Sequence, residues 1–154
     1  MAASKSSAAA RAGSGDAALG KAIAELDAQS PTTVEGWALI AAAVANQTGV
    51  PVRTLKAQRT SSKLTYGELL VAHSLTSGSG KNFQDVVAMH GKGRNWSQMA
   101  KEFHIQVDSI TARVRAASDS IRFAESRRNL RREQNIRNTG LDAMSERSRH
   151  PAGP

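Results

Sequence analysis

The stretch NWSQMAKEFHIQVDSI, residues 95–110, carries the clearest helical pattern in the chain. Asn95 and Gln98 stand at capping-box spacing, where each side chain reaches the other's backbone amide, so a helix is predicted to open at Trp96. Trp96, Met99, Ala100 and Phe103 recur at steps of three, one and three, the pattern of a single apolar helix face. His104 then turns the chain, and Val107 and Ile110 open a second helix. The unit reads as helix-turn-helix-like.

Working upstream, the same pattern recurs. Thr65 and Glu68 form another capping pair ahead of Tyr66, Leu69 and Leu70; Gly78 and Gly80 are expected to turn the chain, and Phe83 and Val86 start the next helix. Further upstream, Thr32 and Glu35 precede Trp37, Ile40, Ala41 and Val44; Gly49 closes that helix, and Pro51 opens a short one holding Val52 and Leu55. The opening aromatics Trp37, Tyr66 and Trp96 lie 29 and 30 residues apart. A single such hairpin cannot bury its apolar face, so three are expected to stack in one helical domain. The joints at Gln58–Lys63 and Gly91–Arg94 are read as exposed basic turns.

Downstream, Ile110, Val114, Ala117, Ile121 and Ala124 continue at steps of four and three, a buried seam on a long last helix. There the seam stops, and Arg127, Arg128, Arg131 and Arg132 follow, clustered by helical spacing. Residues 113–137 hold eight arginines against Asp119, Glu125 and Glu133, so most of the chain's net charge of +8 falls in this stretch. A basic run of this kind favours polyanions, either nucleic acid or an anionic membrane surface, and a solvated helix face accounts for it equally well.

The expected architecture is all-α: a compact bundle of about three helix-turn-helix-like hairpins, a long basic C-terminal helix and disordered termini. Residues 1–16 are a lead rich in Ala, Ser and Gly, residues 17–125 the helical domain, and residues 126–154 a basic helical extension and polar tail. Asp16 is expected to cap a first helix over residues 17–28, and the chain beyond residues 138–140 to be disordered. The expected core is Trp37, Ile40, Leu55, Tyr66, Leu69, Phe83, Val86, Trp96, Met99, Phe103, Ile110, Val114 and Ile121. No apolar run approaches the roughly twenty residues a membrane span needs. The first residues lack the apolar core of a secretory signal, which favours the cytoplasm, or the periplasm if the numbered chain follows a removed signal.

Three segments carry a family resemblance: LTYGELLVA from Leu64, SGKNFQDVV from Ser79 and GKGRNWSQMAKEF from Gly91. Over about residues 48–105 the chain resembles a small helical domain of many bacterial proteins, a pattern without an assigned activity whose usual form contains YGE, SGK and a GKGW-type segment. Here Ser97 and His104 stand where glycine is usual. The resemblance implies a helical fold and frequent placement in the cell envelope, and it implies no catalytic or binding residue.

Most site chemistry finds no support in the residues. The segment SGSGK, residues 77–81, suggests a phosphate loop, but Leu75 stands where the motif needs glycine and Asn82 where it needs Ser or Thr. His73, His90, His104 and His150 form no pair four apart and there is no cysteine, so neither a metal site nor a cofactor is expected. No nucleophile-elbow motif is present, and the chain reads as non-enzymatic.

In a helix-turn-helix reading of residues 96–115, Ala100 packs the two helices, Ile105 sits in the turn and Ile110 anchors the second helix. The groove-facing set is then Asp108, Ser109, Thr111, Ala112 and Arg113, with Arg113 the one good guanine reader. Arg115, Arg122, Arg127, Arg128, Arg131 and Arg132 suit phosphate contacts better. Two functional expectations result. One is DNA or RNA association through the arginines; the other is a protein-interaction module, with no nucleic-acid role. The charge placement favours the first.

Overall fold

The computed structural model describes residues 3–29 and 33–149, with side chains over 15–29 and 33–145. These residues form seven helices: α1 (Ala3–Ala28), α2 (Val34–Thr48), α3 (Val52–Ser62), α4 (Tyr66–Ser79), α5 (Phe83–Gly91), α6 (Trp96–Glu102) and α7 (Val107–Arg149). Among them there is no strand, and the class is all-α. The chain divides into two units, one ending at Ile121 and one beginning at Arg122.

In the first unit α4 is the hub, with α1, α2, α3, α5 and α6 all packed on it. Its apolar run explains this. Tyr66, Leu69, Leu70, Val71, Ala72 and Leu75 are all buried, and a helix apolar around most of its circumference has to be enclosed. The first unit's share of α7 adds Ile110, Val114, Ala117 and Ile121 to the same core, and α1 adds Leu19, Ala22 and Leu26.

Side-chain caps set most of the helix starts. Thr65 accepts from the Glu68 amide at 3.2 Å while Glu68 accepts from the Thr65 amide at 2.9 Å; Asn95 and Gln98 do the same at 2.7 and 3.2 Å. Asn82 caps α5 through the Asp85 amide. At α2 the expected cap, Thr32, lies outside the described residues, and the residue that caps the helix is Thr33, through the Gly36 amide. Gly80 ends α4 at φ +70°, a left-handed conformation that costs glycine nothing. His104 adopts the same region at φ +56° in the turn before α7.

Several boundaries differ from the sequence reading. The expected loop at Gln58–Lys63 is helical to Ser62, where the Ser61 and Ser62 hydroxyls donate to the Gln58 carbonyl and tie down the last turn. Gly78 is not in the turn but inside α4, at a close approach: a Cβ there would stand 2.6 Å from Ile105 Cδ1. Asp16 is interior to α1, which begins at Ala3, and α7 passes Gly140 to reach Arg149. Alanine has the best helix propensity, and an isolated glycine costs only about 1 kcal/mol, so neither composition stops a helix.

The expected core residues Ile40, Leu55, Tyr66, Leu69, Val86, Trp96, Met99, Ile110, Val114 and Ile121 are buried. Trp37, Phe83 and Phe103 are half-buried and pack against that core from its rim. Trp37 meets Tyr66 with ring centroids 5.9 Å apart, and the Arg59 guanidinium lies over both rings. Trp96 stacks on His90 at 3.9 Å, and Phe83 on His73 at 4.6 Å.

Candidate nucleic-acid interface

Two sets of arginines are candidates, one on each unit. On the first, the opening turns of α7 bury Ile110, Val114 and Ala117 and leave Asp108, Ser109, Ala112, Arg113 and Arg115 exposed. Thr111 does not belong with the outward residues: it is only 5% exposed, and its hydroxyl donates to the Val107 carbonyl at 2.9 Å. The face that a DNA groove would meet is therefore narrower than spacing suggests.

Arg113 borders a small cleft with Ser77, Gly78, Ile105 and Ser109; Arg115 borders another with Asp108 and Asp119. Ala100 is buried and its carbonyl accepts from the Ile105 amide at 2.8 Å. The principal neighbours of α6 are α1 and α4.

On the second unit Arg122, Arg127, Arg128, Arg131, Arg132 and Arg137 are all exposed on helix, with Glu125 and Glu133 as the carboxylates among them. The pairs 127/131 and 128/132 are four residues apart, so the guanidinium groups align within a turn of one another. Phe123, Ala124, Arg127, Arg128 and Arg131 line one shallow depression. The Arg127 guanidinium lies 5.6 Å from the Phe123 ring centroid. Nothing in the arginine spacing points to Phe123, because the ring falls off the 110–121 seam. The available signal was its spacing of seven from Leu130, two turns along the same side.

The remaining polar features have structural roles. Asp27 on α1 accepts from the Gly67 amide at 3.0 Å and so caps α4 from another helix; burial raises its carboxyl above the ordinary range. His73 Nε2 lies 2.7 Å from Gln58 Oε1, and burial pushes its imidazole down. His90 Nδ1 donates to the Arg94 carbonyl, Arg94 pairs with Glu102, and His150 lies outside the described residues. Among the described residues no three metal-binding side chains converge. Ser77 and Ser79 belong to the last turn of α4, where carbonyls rather than amides are unsatisfied, and the Lys81 ammonium lies over the Phe103 ring. That geometry is the opposite of a phosphate cradle.

No described helix is long and apolar enough to cross a membrane. The chain matches no family model, no curated protein and no solved structure.

Proposed function

We propose that the protein is a non-enzymatic, nucleic-acid-associated helical module, in which the first unit is scaffold and the arginine-bearing helix of the second supplies affinity. The observation that carries this reading is the exposure of Arg127, Arg128, Arg131, Arg132 and Arg137 along one helical segment with few carboxylates among them. Guanidinium groups so displayed suit phosphate contacts, which are insensitive to base sequence and release counterions on binding. Arg113 and Arg115 are a separate exposed set on the first unit. The reading puts the protein in the cytoplasm. The bacterial-domain resemblance over residues 48–105 supports the fold of the scaffold and adds no activity.

The test is anisotropy of a labelled oligonucleotide against the full chain at two salt concentrations. Affinity should fall steeply with salt, and replacing Arg127, Arg128, Arg131 and Arg132 by glutamine should reduce the log–log slope by about 0.7–0.9 for each phosphate that is no longer neutralised. No binding at low salt would sink the reading. Exposed Ile136, Leu141 and Met144 favour a second one, a protein-interaction helix, in which binding to a partner protein would survive the glutamine substitutions.

A further inference from the structure

We infer that Phe123 is a base-stacking platform, and that the nucleic acid this helix takes is single-stranded. The inference rests on the nucleic-acid reading above and narrows its ligand class. Phe123 is 65% exposed, an unfavourable position for a ring of that size, and no described side chain of the second unit is buried. The ring is set among cations rather than alone: Arg127 lies over it, and Arg128 and Arg131 share its depression. Two turns along the same side, Leu130 is 59% exposed.

An aromatic ring beside guanidinium groups is the arrangement that grips unpaired nucleotides: the base stacks on the ring in place of the Arg127 guanidinium, which with its neighbouring arginines takes the flanking phosphates. A duplex offers phosphates and base edges to such a surface but no base face for the ring, because its base faces are occupied by their neighbours. Other occupants fit less well. A second copy would bring arginine against arginine along the contact. An anionic bilayer needs a broad uncharged face, and here Arg128 and Arg131 share the depression with the ring while Arg137 follows Leu130 by seven residues on the same side.

The experiment compares one labelled oligodeoxynucleotide, single-stranded and as its duplex, binding to the full chain, to Phe123→Ala, to Phe123→Leu and to Phe123→Trp. The wild type should prefer the single strand. Alanine should weaken single-strand binding about 5- to 150-fold, the range of one base–aromatic stack, and change duplex binding less than about twofold. Leucine preserves apolar surface without a ring and should behave like alanine; tryptophan should restore or exceed the wild-type affinity. Circular dichroism establishes that helix content is unchanged in each variant. Equal losses on both ligands, or no loss with alanine, would overturn the stacking role while leaving arginine-driven binding intact. A chain that binds neither form at low salt, or binds only vesicles containing phosphatidylglycerol, overturns the nucleic-acid reading and this inference together.

Discussion

The two parts of α7 differ in what holds them. Residues 107–121 bury one side in the core through Ile110, Val114, Ala117 and Ile121, whereas from Arg122 to Ser145 no residue is buried. Apart from Val34, the large apolar side chains left exposed among the described residues all fall in the second unit: Phe123, Leu130, Ile136, Leu141 and Met144. Tertiary packing stabilises the first stretch. The second relies on propensity and local pairs, which leave isolated helices marginal in water.

Substitutions test that contrast directly. The largest effect is expected at Trp96, buried and stacked on His90: Trp96→Ala should cost about 3–5 kcal/mol in urea unfolding, and a near-neutral result would remove it from the core. Thr65→Ala, which deletes one half of a capping box on the hub helix, should cost about 1 kcal/mol by the same measurement. His73 supplies a smaller, pH-dependent contribution. Its imidazole is pushed down by burial, so the folded chain binds the proton less readily than the unfolded one. Its contribution is complete above about pH 6.5 and declines as the pH falls below that value. The wild-type urea midpoint should therefore drop between pH 7.5 and 5.5 by more than that of His73→Gln. Equal drops would mean that other groups carry the acid response. Smallest of all, Leu141→Ser should change stability by less than about 0.5 kcal/mol; a cost of about 2 kcal/mol, the size expected for a truncated core side chain, would show that something covers that side of the helix.

What the sequence made legible was local. Thr65 with Glu68 and Asn95 with Gln98 declare their helix starts because both partners lie within one turn, and the seam from Ile110 to Ile121 repeats at the helical period. Contacts between residues distant in the chain were not legible. Asp27 caps an amide forty residues away, and Arg59 lies over Trp37 and Tyr66 from a helix between theirs in sequence; no spacing rule links such groups. Thr111 was misplaced for a related reason. Polarity suggested solvent, but a threonine hydroxyl can satisfy itself on the carbonyl four residues back, which allows the methyl side to be buried. In the candidate interface the arginines were visible from composition, whereas Phe123 falls off the 110–121 seam and is marked only by its spacing of seven from Leu130.

The placement of the two tryptophans has an optical consequence. Trp37 lies under Arg59 beside Tyr66, and Trp96 lies flat on His90, so the two indoles sit in different surroundings near opposite ends of the α2–α6 succession. Neither falls after Ile121. Intrinsic emission thus follows melting of the first unit alone, while far-ultraviolet dichroism sums helix from both, and the difference between the two curves gives the order in which the units lose structure without any added label.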